Sequence, residues 1–183
     1  MNRWPERMLI QISICLAIIV GLSFLKPSFA HDRRPANAKQ GAESLAKACD
    51  AFYEEYQSLP LANRTAADAV QITTGKANNI MTLLCNPIPL TEGPKYQNFF
   101  GDREAREKKD GLLRNEAGTY AEFFDPWGNP YYVLFDYDYS GCLKHPSTGE
   151  TLEKIRILVW SPGPDGKTGT PAFDKDNIYA RRR

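Results

Sequence analysis

A short apolar run followed directly by a long polar loop, at residues 155–178, constrains the fold more than any other stretch of this chain. Residues 155–160 read I-R-I-L-V-W, and isoleucine and valine recur there at every second position. This period of two predicts a half-buried β-strand. Residues 161–178 then contain three glycines, three prolines and three aspartates, so the loop cannot form a core of its own.

The three aspartates of this loop are candidate metal ligands. Asp165, Asp174 and Asp176 lie within a dozen residues of one another, with backbone carbonyls between them. Oxygen ligands on a flexible segment suit calcium, which accepts six to eight oxygens in irregular geometry. We therefore predict a structural Ca²⁺ at these residues, and the alternative is a solvated, turn-rich loop without an ion. The G-P-D-G-K-T segment lacks the first glycine and the following helix of a phosphate-binding loop.

Residues 8–25 form the one long apolar segment. Arg3 and Arg7 precede it, and small residues follow at Ser28 and Ala30, which is typical of an export signal cut before residue 31. An uncut segment of this length could also just span a bilayer as an anchor. Both interpretations place the rest of the protein outside the cytoplasm, in the periplasm or the extracellular space.

The expected layout is a targeting segment followed by one globular domain. We assign residues 1–30 to the signal peptide or anchor and residues 31–37 to a linker, because Pro27 and Pro35 both break a helix that would continue from the apolar segment. Residues 38–180 form the domain, and the arginines at 181–183 are a solvated basic tail. The formal net charge is only +1 for 183 residues, so neither nucleic acid nor an anionic surface is indicated as a partner.

Three cysteines follow the apolar segment, at Cys49, Cys85 and Cys142. In an oxidising compartment this number predicts one disulfide and one spare thiol. We favour Cys49–Cys85, because Cys49 lies on the core face of the first predicted helix and Cys85 just after a short helical turn. Pairing of Cys49 with Cys142 stays open.

The first predicted element of the domain is a long amphipathic helix. From Ala38 to Leu59 apolar residues recur at spacings of three and four, and Asn37 with Gln40 resembles a capping box that opens the helix. Pro60 ends it. A second, shorter helix is predicted over residues 65–75, and a further helical turn or two over residues 77–84.

A compact turn and a second strand follow a polar, uninformative segment at residues 96–118. Residues 125–128, D-P-W-G, have the residues that a type I turn favours, and Trp127 is predicted to fold back over the core. Residues 131–139 alternate as a strand should, and we expect that strand to pair antiparallel with residues 155–160.

A second candidate ion site lies at the end of this strand. Asp136, Asp138, Ser140 and Gly141 match the first, third, fifth and sixth places of a calcium-binding loop. The twelfth place is Ser147 rather than glutamate, so a polar hairpin end without an ion is the alternative.

No catalytic residues are predicted, and neither is a small-molecule substrate. The chain contains no G-x-S-x-G or H-E-x-x-H motif, and its two histidines lie in the linker and in a surface turn. Nothing in the sequence supplies an activated nucleophile or a tuned acid and base.

Taken together, the helix, the turn and the terminal loop resemble the major pseudopilin of the type II secretion system. The resemblance covers residues 38–62 and 123–179. It is carried by a helix that ends in Y-x-x-Y-x-x-x-P, by D-P-W-G-N-P-Y at residues 125–131, and by S-x-G-x-D-G at residues 161–166 with closing acidic residues. The joint occurrence of the turn and the loop is what makes it specific.

The resemblance implies a pilin-like α+β fold, with one long helix packed on a small antiparallel sheet, and a calcium in the last loop. It also implies a non-enzymatic subunit or accessory of a secretion or pilus machine, whose partners are other pseudopilins or machinery components. The N-terminus departs from the family, because no Gly-Phe-x-x-x-Glu is present and prolines interrupt the helix. The alternative is a soluble, exported, calcium-stabilised binding module that forms no filament.

Overall fold

The computed structural model describes residues 32–60, 70–75, 80–86, 88–89, 96–115 and 121–183. Within these ranges, Arg33–Arg183 belong to one compact unit. The helices are α1 (Arg34–Tyr56) and α2 (Ile80–Cys85), with a short 3₁₀ turn at Asp174–Asp176. The strands are β1 (Gln71–Ile72), β2 (Ile88–Pro89), β3 (Tyr96–Gln97), β4 (Gly111–Arg114), β5 (Ala121–Phe124), β6 (Tyr132–Phe135), β7 (Cys142–Lys144), β8 (Thr151–Glu153), β9 (Ile157–Ser161) and β10 (Ile178–Arg182). The predicted α+β class is confirmed at this level.

Helix α1 begins earlier than the sequence pattern predicted. Its first residue is Arg34, so the assignment of residues 31–37 to a linker is wrong from that point onward. Pro35 lies in the first turn, where a backbone N–H has no partner inside the helix and the fixed φ of proline suits the helix. Asn37 is therefore inside the helix and forms no capping box. The helix ends at Gln57, in the left-handed conformation with φ 50°, whose N–H bonds the Tyr53 carbonyl at 2.7 Å.

The buried face of α1 consists mainly of small residues, which let the helix backbone approach the sheet closely. These residues are Ala38, Gly41, Ala42, Leu45, Ala46, Ala48, Cys49 and Phe52. All of them except Ala38 and Gly41 belong to a core that also contains side chains of α2, β5, β6 and β9. Burial of this stripe explains why the apolar spacing indicated a helix, although the last helical residue is Tyr56 and the helix does not continue to Pro60 as predicted, so Leu59 lies beyond it.

The sheet on which α1 packs has the strand order β1-β6-β9-β10, and its strands pair antiparallel. Tyr132 lies opposite Trp160 and Val133 opposite Val159, so the predicted pairing of the two central segments is confirmed. The paired segment of β6 ends at Phe135, and residues 136–141 form a turn instead of continuing the predicted strand.

Strand β9 is buried on both faces, so the prediction of a half-buried strand is wrong. Val159 points into the core with α1, while Trp160 packs in a second apolar cluster. That cluster contains Leu143 of β7 and Leu152 of β8, which pair directly opposite each other. The β7–β8 hairpin thus covers the face of the sheet that the alternation assigned to solvent.

Two other local predictions are corrected. Val70 and Ile72 were expected in a helix over residues 65–75, but Gln71–Ile72 form strand β1, which pairs with β6, and residues 61–69 lie outside the described residues. The arginines expected to form a solvated tail at residues 181–183 are also in part structural. Arg181 and Arg182 belong to β10, because Leu158 and Ile157 of β9 pair with them.

The predicted Cys49–Cys85 disulfide is not formed. Cys49 and Cys85 are both buried free thiols, and Cys142 is a free, exposed one. Burial raises the pKa of Cys85 to about 11 and raises that of Cys49 as well. Both side chains therefore stay protonated at neutral pH and act as small apolar core residues.

The predicted membrane segment at residues 8–25 lies outside the described residues. In the part of the chain that is described, no helix is long and apolar enough to cross a bilayer.

Substitution of Gly41 by alanine should destabilise the fold although alanine is the better helix former. A Cβ at this position would meet the Tyr131 hydroxyl, with the ring carbon Cζ at 2.9 Å and Phe123 at 3.3 Å. We expect Gly41→Ala to lower the free energy of unfolding by about 1 to 3 kcal/mol in urea denaturation, as overpacking does. Tyr131→Phe in the same chain should restore part of that loss, because the hydroxyl is the nearest atom.

Gly101→Ala is the matched control, since no heavy atom lies within 4 Å of a Cβ there. Equal effects of the two alanines would contradict the proposed steric contact.

Candidate functional site

The D-P-W-G-N turn and the start of the C-terminal loop are joined by one buried carboxylate. Asp125, at the end of β5, is fully buried. Its Oδ1 accepts hydrogen bonds from the N–H groups of Trp127 at 2.9 Å and Asn129 at 2.8 Å. Its Oδ2 accepts one from the hydroxyl of Ser161, the last residue of β9, at 2.6 Å. The carboxylate therefore shapes its own turn and also fixes the turn to the end of β9.

A tight turn does form at the predicted residues. Its closing hydrogen bond runs from the Gly128 N–H to the Asp125 carbonyl at 3.0 Å. Trp127, however, does not fold over the core as predicted. Its side chain is only half-buried, and the Arg34 guanidinium lies 5.8 Å from the centre of the ring. Stacking on a cation near the surface keeps the indole outside both apolar clusters.

A second contact from the turn holds the loop backbone. The Asn129 amide donates a hydrogen bond to the Gly163 carbonyl at 2.8 Å, and the Gly163 N–H bonds the Ser161 hydroxyl at 3.0 Å. Gly163 has φ 72°, and a Cβ there would collide with the Asp176 carbonyl. The two ends of the loop therefore lie against each other, and only glycine fits so close an approach.

Burial raises the pKa of Asp125, while its hydrogen bonds from Ser161, Asn129 and Trp127 act in the opposite direction. A buried carboxylate is unfavourable unless its oxygens accept several hydrogen bonds. The three donors above supply that compensation. The carboxylate has no oxygen facing solvent, and the Ser161 hydroxyl beside it is buried and donates to it, so we assign it a structural task.

Two of the three predicted calcium ligands lie together. The Asp165 N–H donates to Asp176 Oδ2 at 3.3 Å, and Asp165 Oδ1 accepts from the Lys167 N–H at 2.8 Å. Gly163 approaches the carbonyl and the carboxylate of Asp176 from the other side. The loop thus closes on itself, with the Asp165 N–H and Gly163 lying against the carboxylate and the carbonyl of Asp176.

Asp174 does not join them, which corrects the predicted three-aspartate cluster. Its Oδ1 accepts from the Ser147 hydroxyl at 2.6 Å and from the Asn177 amide at 2.5 Å, and its Oδ2 accepts from the Tyr179 hydroxyl at 2.6 Å. The His145 Nε2 lies 3.8 Å from the same oxygen. Asp174 therefore links the tip of the β7–β8 hairpin to the end of the loop.

For a metal ion, the oxygen-only set of Asp165, Asp176 and nearby carbonyls fits a hard cation such as calcium. Across the described ranges, no three acidic, histidine or cysteine side chains are grouped closely enough to hold a metal. Any ion at this loop would therefore depend on two carboxylates and the backbone, with Asp174 engaged elsewhere.

The second predicted ion site is brought together, but by internal hydrogen bonds. Asp136 Oδ1 accepts from the N–H of Ser140 at 3.0 Å and from its hydroxyl at 3.1 Å, while Oδ2 accepts from the Gly141 N–H at 2.7 Å. Burial, and next a hydrogen bond with Asp138, raise the pKa of Asp136. The same hydrogen bond lowers the pKa of Asp138. The donors of the turn occupy the oxygens that a cation would need.

Sequence reasoning missed Asn129, Ser161, His145 and Ser147 as partners of these carboxylates. Asn129 and Ser161 did stand inside the two motifs, but nothing in the sequence paired them, because their partners are 34 to 36 residues away. His145 and Ser147 had no local signal at all.

Comparison of the chain with protein-family models, with curated proteins and with solved structures finds no match.

Substitution of Asp125 by alanine should destabilise the protein strongly. It removes the acceptor of the Ser161 hydroxyl and of two turn N–H groups. We expect a loss of about 2 to 4 kcal/mol in the free energy of unfolding, since buried donors left without partners cost about 1 to 3 kcal/mol each and removal of a buried charge offsets part of that. Urea denaturation followed by tryptophan fluorescence measures it.

Asp102→Ala is the control, because Asp102 is exposed and its carboxylate accepts from the adjacent Arg103 N–H. A loss for Asp125→Ala no larger than that of the control would contradict the structural task given to Asp125.

Proposed function

We propose that this protein is a non-enzymatic, exported structural subunit or accessory of a secretion or pilus machine, similar to the major pseudopilin of the type II secretion system. One observation carries the proposal. The turn at residues 125–131 and the loop at residues 161–178, which carried the sequence resemblance, are bonded directly to each other through Asp125–Ser161 and Asn129–Gly163. Direct contact between the two motifs supports a common origin with the pseudopilins better than either motif does alone.

The architecture supports the same proposal. A long helix with a stripe of small residues packs on an antiparallel sheet, and the loop closes the end of that sheet. The polar side chains at the loop are engaged in hydrogen bonds with one another and with the backbone. Such an arrangement is suited to holding a surface in shape and supplies no activated nucleophile.

A second candidate function is supported by the start of α1. Helix α1 starts at Arg34, after the non-helical Asp32 and Arg33, with Pro35 in its first turn. A proline at this place favours the start of a helix, which a subunit held in a filament by one continuous helix would not need. The alternative is a soluble, exported, calcium-stabilised module whose partners bind its folded surface.

The two candidates differ in the fate of residues 8–25. The experiment is expression of the full chain in a Gram-negative host, followed by intact-mass measurement of the protein in membrane and soluble fractions. For the subunit we expect a membrane-associated species that retains residues 8–25, because assembly would depend on packing of the apolar segments.

An Ala30→Leu variant is the matched control, since a bulky residue at this place blocks cleavage by a signal peptidase. A soluble wild type that starts at His31, together with an uncut Ala30→Leu protein, would contradict the subunit and support the module.

In both candidates we propose that calcium stabilises the loop through Asp165, Asp176 and backbone carbonyls. The Asp176 carboxylate and carbonyl lie beside the start of the loop, and a cation bound by them and by the Asp165 carboxylate would hold the two ends of the loop together. Extracellular sites of this kind bind with dissociation constants on the order of 0.1 to 1 mM, and a hundredfold excess of calcium over that constant would add about 2.7 kcal/mol.

A chelator should therefore lower the melting temperature of the wild type and leave Asp165→Ala and Asp176→Ala unchanged. Differential scanning calorimetry with and without excess Ca²⁺ measures the shift. Asp102→Ala should respond to chelation as the wild type does. If the chelator lowers the melting temperature of Asp165→Ala as much as that of the wild type, calcium does not act through this loop.

A further inference from the structure

Strand β10 is an outer strand of the main sheet. In the order β1-β6-β9-β10 it pairs with β9 on one side, and among the described strands none pairs with its other side. An outer strand presents a row of backbone N–H and C=O groups to which a further strand can bind.

The structure shows which backbone groups face outward. In an antiparallel pair, successive residues direct their N–H and C=O groups alternately toward the partner and away from it. The Arg182 carbonyl accepts from the Arg156 N–H at 2.8 Å, so Arg182 and Ala180 face β9. The Tyr179 carbonyl accepts instead from the Lys39 ammonium of α1, so Tyr179 and Arg181 face the open edge.

Three of these four outward groups remain available. Within the described residues, neither the N–H of Tyr179 nor the N–H and C=O of Arg181 forms a hydrogen bond to a group outside the sheet. The Tyr179 carbonyl has a second lone pair besides the one that Lys39 uses. The edge can therefore form up to four backbone hydrogen bonds with an added strand.

The edge is strongly basic. Arg181 and Arg183 are exposed, Arg182 is half-buried, and Lys39 lies at the other end of the strand. Two carboxylates lie at the Lys39 end of the strand: Glu43, 3.7 Å from Lys39, and Asp174, which accepts from the Tyr179 hydroxyl. At the arginine end, by contrast, no carboxylate of the described residues forms an ion pair with the arginines of the strand. The charges favour an acidic occupant.

The basic surface continues beyond the strand. Arg183 lines a cleft of about 280 Å³ together with Lys154, Arg156 and the ring of Tyr53. The Arg156 guanidinium already lies over the Tyr53 ring and forms an ion pair with a carboxylate of α1. Lys154 and Arg183, by contrast, are exposed. The cleft also contains Asp136, whose oxygens are held by its own turn. Among the described residues neither Lys154 nor Arg183 has an ion-pair partner, so a carboxylate entering the cleft would meet two cations.

We propose that the open edge of β10 binds an extended acidic segment of another protein, which adds a fifth strand to the sheet. Pairing of two copies through β10 is disfavoured, because their arginines would face one another across the interface. The segments of this chain outside the described residues supply no occupant either, because their acidic residues, at positions 6, 68, 92 and 116, are isolated in the sequence. The proposal does not depend on the assembly of a filament.

The test uses the folded protein and a fluorescein-labelled seven-residue peptide in which glutamate and threonine alternate. Fluorescence anisotropy at about 0.05 M salt should show saturable binding that weakens at higher salt. The same peptide with alternate backbone nitrogens methylated keeps its charge but loses donors, and should bind at least about tenfold more weakly. Amide hydrogen exchange should slow at Tyr179 and Arg181 when the first peptide is bound.

Arg181→Glu should reduce the affinity at least about tenfold, as expected for loss of a charge contact with reversal of its sign. The matched control Arg106→Glu, an exposed arginine in the loop before β4, should bind as the wild type does. Equal binding of the methylated peptide, or no change in exchange at Tyr179 and Arg181, would overturn strand addition in favour of a diffuse electrostatic contact. A dimer seen by light scattering, without peptide binding, would overturn it in favour of self-pairing.

Discussion

The buried carboxylate of Asp125 is the interaction on which the rest of this structure depends. It bonds its own turn through two backbone N–H groups and the end of β9 through the Ser161 hydroxyl. Because β9 is one of the two inner strands of the sheet, this one side chain connects the turn after β5, the middle of the sheet and the start of the C-terminal loop. Burial works against the charge, as its raised pKa reflects, and the surrounding donors offset that cost.

Burial of β9 on both faces explains how so small a sheet holds a long helix and a polar loop together. Helix α1 covers one face, and the β7–β8 hairpin covers the other with Leu143 and Leu152. The loop then lies between fixed anchors, with Asn129 at its beginning and the Asp174 network at its end. A loop held at both ends has little conformational freedom left to lose, so an ion bound there would add to an arrangement that is already formed.

The predictable parts of the fold were those with a local signal. The helix over residues 38–56 follows from the apolar spacing, the turn from D-P-W-G, and the β6–β9 pair from two apolar segments with a period of two. The site was only partly predictable. Asp165 and Asp176 belong to one loop and do lie together, whereas Asp174 is bonded to a hairpin tip 27 residues earlier in the chain. The free thiols of Cys49 and Cys85 also escaped prediction, because pairing rules count cysteines and say nothing about the geometry of a core.

The sequence by itself determined the face of α1 that is buried and the sharp turn at Asp125, because each follows from propensity and periodicity over a few residues, whereas the α+β class was expected from the resemblance of its motifs. Tertiary structure alone decided that Pro35 lies inside the first turn of the helix, that β9 has no solvent face and that Arg181 and Arg182 extend the sheet instead of forming a tail. It also decided which donors surround each aspartate. These outcomes depend on contacts between segments tens of residues apart, and a buried polar group takes whichever partner the assembled core brings to it.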